Sequence, residues 1–271
     1  MAINSLDALI AGLRPPVSLY KASAAAEGAA TMHSLFRVAG NPGAGSTPPA
    51  ASAGSGYTCD RTTPGAIPRS NPVSGEARLG RITIAGSAAG MVILYDRLWA
   101  CSGFVTNIIT TQSITTPGTI PSRDANGDAL GAGVELWGEV YTIPGATGAT
   151  WTASYTNQDG TAGRSATYTH PANAETAGQM LPFTLQAGDT GVRSVQSLVC
   201  SISSGTAGDI GLTLLRRIAE VPIATVNVGQ VLDGIGAGLP RIYDDSCLAL
   251  MVSCTTTLTG IVVGSLVETH G

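Results

Sequence analysis

Lysine is almost missing from this chain: Lys21 is the only one, against thirteen arginines. Charge of either sign is scarce, 12% of residues against the roughly 25% usual in soluble domains, so something other than charge must cover part of the surface. Aromatics make up 5% of the chain, and the histidines are His33, His170 and His270. Each shortage excludes something. One lysine leaves no way to write a GxxxxGK[ST] phosphate loop, and neither GxSxG nor HExxH occurs. Three dispersed histidines, none beside a nucleophile in the pattern, argue against an imidazole proton shuttle. The basic residues stand singly apart from Arg216-Arg217 and the net charge is -4, so no cationic stripe exists and nucleic acid is not an expected partner. The longest nearly apolar run, 82–95, is broken by Gly86, Ser87 and Gly90 and falls short of the roughly 18 residues of a membrane helix. No membrane span is expected.

Carboxylate chemistry finds little support either. Asp244 and Asp245 would point apart on a strand, and Glu135 and Glu139 would share one face about 13 Å apart, too far for either glycosidase geometry. The five cysteines, Cys59, Cys101, Cys200, Cys247 and Cys254, are odd in number, widely spaced and set among apolar neighbours, which predicts reduced, buried thiols. An acid near the start, in Met-Ala-Ile-Asn-Ser-Leu-Asp, stands where a secretory leader carries basic residues, so cytosolic synthesis is expected.

One motif imitates a metal site. Asp124-Ala125-Asn126-Gly127-Asp128 with Glu135 puts oxygen ligands at the calcium-loop positions 1, 3, 5 and 12. Position 6 is Ala129 where the sharp turn needs glycine, and the flanks read as strands. The pattern predicts an Asx-rich turn reversing at Asn126-Gly127, with Asp124, Asn126, Asp128 and Glu135 as the metal candidates. No cofactor is expected. A sugar-binding face is the other option to weigh: Trp137, Tyr141, Trp151 and Tyr155 could line one sheet face, but a sandwich core competes for the same residues.

What the chain does contain favours strands. Ser, Thr, Asn and 35 glycines supply the polarity, and short apolar-polar alternations recur about every 10 residues between turn clusters. Candidate strands are 79–85, 91–98, 104–114, 134–143, 150–156, 164–169, 180–186, 192–203, 210–218, 247–256 and 259–268. The clearest alternation sets Trp151, Ala153 and Tyr155 against Thr152, Ser154 and Thr156, with Ala166 and Tyr168 following the turn at Asn157-Gln158-Asp159-Gly160; these predict an outlying hairpin. Residues 210–215 and 261–263 are apolar on both faces and belong inside.

The N-terminus carries a helix signal, with Asn4 or Ser5 as cap, Asp7 in the first turn and Leu6, Leu9, Ile10 and Leu13 at helical spacing before Pro15-Pro16. A helix this short is unstable alone, so those four residues predict an interaction surface, docked on the chain's own body or on a neighbour. The Ala-rich stretch 22–30 is open to helix, and 34–38 reads as a strand running into Asn41-Pro42-Gly43. Residues 40–75 are rich in Gly, Pro and Ser and predict a linker or an extended arm. The expectation is an all-β, antiparallel, jelly-roll-like β-sandwich at 76–271 behind a helix and extended Gly/Pro-rich arm at 1–75.

Several local phrases together resemble a family of tailed-bacteriophage structural proteins of similar length, encoded among head genes. They are Ile3-Asn4-Ser5-Leu6-Asp7-Ala8-Leu9-Ile10-Ala11-Gly12 with Pro15-Pro16, His33-Ser34-Leu35-Phe36, Tyr95-Asp96-Arg97-Leu98-Trp99, Ser154-Tyr155-Thr156-Asn157 with Gly160-Thr161-Ala162-Gly163, and Asp189-Thr190-Gly191-Val192-Arg193-Ser194. The resemblance implies a non-enzymatic virion component, a head decoration or cement protein, with a tail or connector protein and a carbohydrate-binding surface protein as the alternatives. Its implied partners are a major capsid protein and copies of itself. A homotrimer is the expected assembly, because closed threefold symmetry removes exposed edges and matches threefold positions on a shell.

Overall fold

The computed structural model describes residues 3, 5–22, 28–51, 56–173, 175–256 and 260–271. In chain order these form helix α1 (Leu6–Ala11) and strands β1 (Val17–Lys21), β2 (Met32–Ser34), β3 (Gly40–Asn41), β4 (Tyr57–Thr58), β5 (Ala77–Gly86), β6 (Gly90–Val105), β7 (Gln112–Ser113), β8 (Glu135–Thr142) and β9 (Ala149–Asn157). There follow β10 (Arg164–His170), β11 (Gln179–Pro182), β12 (Val192–Cys200), β13 (Asp209–Ile223), β14 (Gln230–Asp233), β15 (Arg241–Ile242), β16 (Leu248–Cys254) and β17 (Val262–His270). The chain is an all-β protein of antiparallel sheets enclosing apolar cores, with one short N-terminal helix, as the alternating pattern predicts.

Two compact units divide the chain. One comprises Met1–Ser46, Asp60–Asp96 and Arg217–Gly271; the other comprises Thr47–Cys59 and Arg97–Arg216. The divisions fall at 46/47, at 59/60, inside β6 and inside β13, and not at 75/76, where composition alone suggested one. Residues 40–75 do lack long strands, yet they are stitched to their own chain. Ile67 is buried and its N–H donates to the Leu248 carbonyl at 2.8 Å, while Ser102 donates to the Pro48 and Pro49 carbonyls at 2.7 and 2.9 Å. An irregular backbone that enters the interior must find such partners, because an unmet buried amide costs about 1–3 kcal/mol.

In the first unit β5, β17 and β1 form the middle of a six-stranded sheet ordered β14-β5-β17-β1-β3, with β15 also on β5. Its inner side chains, Leu79, Ile82, Ile84 and Leu266, share a core with Val92, Leu94, Leu250 and Val252. β16 lies between β2 and residues 90–96 of β6 and is buried along nearly its whole length, which explains why its sequence shows no alternation. Lys21, the single lysine, is buried here, and its Nζ donates to the Pro42 carbonyl at 2.8 Å and the Val38 carbonyl at 3.1 Å. Burial lowers its pKa to about 8.

In the second unit the sheet β10-β9-β12-β7 supplies Trp151, Ala153, Tyr155 and Leu198 to a core completed by Trp99 on β6, Leu136 and Val140 on β8, and Leu212 and Leu214 on β13. The expected β9–β10 hairpin forms, with Ala153 opposite Ala166 and Trp151 opposite Tyr168. The strand expected over 104–114 is interrupted. The Gln112 side chain bonds both the N–H and the carbonyl of Val105, at 2.8 and 2.9 Å, and so takes the place of a ladder partner and closes a loop. The strand expected over 34–38 ends at Ser34, where Leu35 and Phe36 turn inward. Most of the Ala-rich stretch 22–30, at 23–27, lies outside the described residues, as do Asn4 and Thr259.

Charge inside the second unit is matched at short range. Arg97 and Glu139, both fully buried, meet at 2.8 Å, and the Tyr141 hydroxyl donates to the same Glu139 oxygen at 2.9 Å. Burial, then the Glu139 charge, raises the Tyr141 pKa well above its usual 10. Removing one member leaves the other charge without its counter-ion in a low-dielectric site, which typically costs about 3–5 kcal/mol, whereas replacing both by apolar residues costs far less. Arg97→Leu is therefore expected to destabilise the protein by about 4 kcal/mol in denaturant titration. Arg97→Leu/Glu139→Leu should recover most of that loss; additive losses would contradict the assignment.

Candidate interaction surface

Helix α1 is positioned by its backbone. Ser5 is the cap, its hydroxyl accepting the Ala8 N–H at 3.1 Å, and it fulfils the Asn4-or-Ser5 expectation. Past the helix, the Gly12 carbonyl accepts the His270 N–H at 2.9 Å, Arg14 N–H donates to the Glu268 carbonyl at 2.9 Å, and Thr269 Oγ1 donates to the Leu9 carbonyl at 2.8 Å. A β-carbon at position 12 would sit 2.3 Å from the His270 carbonyl oxygen, so this approach to β17 needs glycine.

The apolar stripe is left outside by this docking. Leu6, Ile10 and Leu13 are 60, 56 and 45% exposed, Leu9 is half-buried, and no residue of α1 is buried. The i, i+4 spacing brings Leu6 and Ile10 to one face of α1, as the sequence predicts, whereas Leu13 lies past the helix in a β-bridge to Thr269. The helix thus docks in cis through hydrogen bonds and leaves Leu6 and Ile10 largely exposed, while the Leu13 side chain, just past the helix, lies against Gly80 of β5.

The same unit presents a second uncharged surface. On the outer face of its six-stranded sheet, cross-strand pairing lines up Asn41, Tyr20, Val263 and Ala85 in one row and Ser18, Ser265, Thr83 and Val231 in the next. Tyr20, Val231 and Val263 are exposed, with Ile261 beside them. No charged side chain stands in either row. Charge begins in the following row, at Arg81 and Asp233.

The calcium-like loop forms the Asx-rich turn that its pattern predicts, around Asp124. Asp124 is fully buried, and its two carboxylate oxygens accept N–H bonds from Asn126, Asp128, Leu130, Gly131 and Ala132, at 2.9–3.2 Å. Five donors converging on one carboxylate make a cradle for an anion, which Asp124 itself fills; a cation there would face the positive ends of those amides. Asn126 and Asp128 are exposed, and Glu135 accepts the Trp137 Nε1–H at 2.7 Å. Among the described residues no group of three acidic, His or Cys side chains is placed to hold a metal. The sugar platform also loses its residues, since Trp151 and Tyr155 are fully buried and Trp137 nearly so.

His33, His170 and Asp189 hold structure. His33 Nε2 lies 3.1 Å from the Gly28 N–H and 2.7 Å from the Thr31 hydroxyl. His170 stacks on Trp151 at 4.7 Å, with Nδ1 3.3 Å from Glu175 and Nε2 2.9 Å from the Gly145 carbonyl. Burial opposes its charge, but the Glu175 carboxylate and the Gly145 carbonyl outweigh that and raise its pKa above 6.5. Asp189 joins Arg164, Tyr155 and Asn157, and the Arg164 guanidinium, chief among them, holds its carboxyl far below the usual range. Sequence reasoning missed the cluster of Arg14, Arg69, Glu268 and His270. The only local signal was Glu268-x-His270, the i, i+2 spacing that shares a strand face; residues 14 and 69 arrive through tertiary folding.

No known protein family matches the chain, and no curated protein matches it. Among solved structures, T=1 particles derived from infectious bursal virus are 11% identical over 96% of this chain and 79% of that chain, with a TM-score of 0.20. The VP2 subviral particle of infectious bursal disease virus is 9% identical over 96% and 82%, with a TM-score of 0.21. Likenesses of this size carry no argument.

Two outcomes are expected. Asp124→Ala, which orphans five amides, should lower stability by about 3 kcal/mol, and millimolar calcium should leave the wild-type melting temperature unchanged; stabilisation by calcium would contradict the anion-cradle account. His170 has a raised folded-state pKa, so its contribution is complete below the unfolded value near 6.5 and is lost as pH rises through the folded value. Denaturant titrations from pH 6 to 9 should show a decline that is absent in His170→Phe.

Proposed function

We propose that this chain is a non-enzymatic structural component of a tailed-phage virion, a decoration or cement protein that binds the major capsid protein as a homotrimer. The observation that carries the proposal is the exposed pair Leu6 and Ile10 on a helix whose backbone is already anchored, continued by the exposed Leu13 just past its end. A protein that acts by adhesion needs apolar area held in a fixed orientation, because ordering it at the moment of binding would weaken the contact. The uncharged outer face beside it adds area of the same kind, and low charge with arginine in place of lysine suits a surface made for contacts.

The phrases that carry the family resemblance support the same reading. Tyr95-Asp96-Arg97-Leu98-Trp99 is entirely buried, Asp96 accepts bonds from Ser246 and Cys247, and Asp189 ties the β9–β10 hairpin. Residues used in this way build a scaffold. A cement role follows if that scaffold bridges shell subunits and so favours the assembled shell by mass action.

The test is co-sedimentation of the purified chain with heads and with tails, each lacking it. Wild type should bind heads, and Leu6→Ser/Ile10→Ser/Leu13→Ser should bind at least about 100-fold more weakly, since three buried aliphatic side chains contribute several kcal/mol. The exposed positions should let the variant fold normally, which the removal of residues 1–16, with their cis anchors, would not guarantee. Equal binding by the variant would sink the docking role of α1, and binding to tails alone would move the protein to the tail or connector. Light scattering should give three times the 27.3 kDa of the chain.

A further inference from the structure

We infer that the cavity beside the exit of α1 is a carboxylate-binding pocket that receives an acidic side chain of the polypeptide on which this face docks. It measures about 370 Å³, at the lower end of ligand-sized cavities, and Pro15, Val17 and Pro68 form its apolar walls. Arg69 and Glu268 stand in it as a closed pair. Arg69 Nε and Nη2 bond the two Glu268 oxygens at 2.9 and 3.2 Å, and the Arg69 side chain is 2% exposed. A third bond reaches Glu268 from His270 Nε2 at 2.9 Å. Each charge of that pair is neutralised by the other.

Arg14 is different. Its Nε–H donates to His270 Nδ1 at 3.1 Å, which requires the lone pair of that nitrogen and places the ring proton on Nε2, against Glu268. The ring is therefore neutral and acts as an orienting link between Arg14 and the closed pair. Among the described residues no carboxylate pairs with Arg14. The pocket carries one net positive charge, fixed in direction, and Ser70 lines the same space with a hydroxyl donor.

One charge, a planar fork of donors and apolar walls match a monoanionic carboxylate on a short methylene stem, an Asp or Glu side chain, better than a phosphate dianion, which calls for more than one cation. Leu13, the last residue of the exposed stripe, immediately precedes Arg14. A docked segment would therefore set its acidic residue next to apolar ones. The partner assignment rests on the docking reading of α1; the pocket itself does not.

The full chain, labelled with 13C in its histidine rings, would be titrated with N-acetylglutamate amide, with N-acetylglutamine amide as the uncharged control and inorganic phosphate as the competing anion. His33 and His170 are buried elsewhere and serve as internal references. The His270 signal, assigned through His270→Gln, should shift saturably with the glutamate probe, with a Kd on the order of millimolar. The glutamine probe should give no shift, and phosphate should bind more weakly. Arg14→Gln should abolish the response with the His33 and His170 signals unchanged, while Leu6→Ser/Ile10→Ser/Leu13→Ser should keep it. No shift, equal shifts with glutamine, tighter binding of phosphate, or a full response in Arg14→Gln would each overturn the pocket. A pocket that answers the probe while Arg14→Gln still binds heads as wild type does would overturn its role in docking.

Discussion

A charge taken out of water must be met within hydrogen-bonding distance, and among the described residues this chain buries nine charged ones. Lys21, Asp96, Arg97, Arg123, Asp124, Glu139, Glu175, Arg216 and Glu268 are all buried. Several fix backbone from a distant part of the sequence: Lys21 the turn at Pro42, Asp96 the start of β16, Arg123 the carbonyl of Cys59, Arg216 the carbonyl of Arg123. Apolar burial supplies the driving force but tolerates sliding, whereas a buried ion with directed donors does not. Strands such as β16, apolar on both faces, depend on those fixed points for register.

The complement of charged groups held inside is a surface with little charge. The rows Asn41-Tyr20-Val263-Ala85 and Ser18-Ser265-Thr83-Val231, and the stripe of α1, leave apolar and hydroxyl groups exposed. Such area is a liability for a free monomer and an asset for a subunit whose working state is bound. The proposed cement role joins the two observations: a scaffold stiffened from within, presenting adhesive faces without.

Legibility in the sequence followed locality. The β9–β10 hairpin was readable because alternation and an Asn-Gln-Asp-Gly turn both lie within some twenty residues, and α1 because cap and stripe lie within nine. Short strands β2, β3, β4, β14 and β15 were not, since two to four residues cannot display a period. The calcium-like loop shows the other limit. Spacing put Asp124, Asn126, Asp128 and Glu135 at calcium-loop positions but said nothing of direction, and five amides converging on Asp124 occupy its carboxylate. The Arg14 pocket was invisible because two of its members lie some two hundred residues from the others.

The most direct test of the proposed virion role is to count this chain in density-gradient-purified particles of the phage proposed to encode it, by quantitative mass spectrometry against the major capsid protein. The account predicts a fixed stoichiometry in multiples of three per particle, retained through purification and found on heads separated from tails. Absence from purified particles, despite abundant protein in the infected cell, would contradict it.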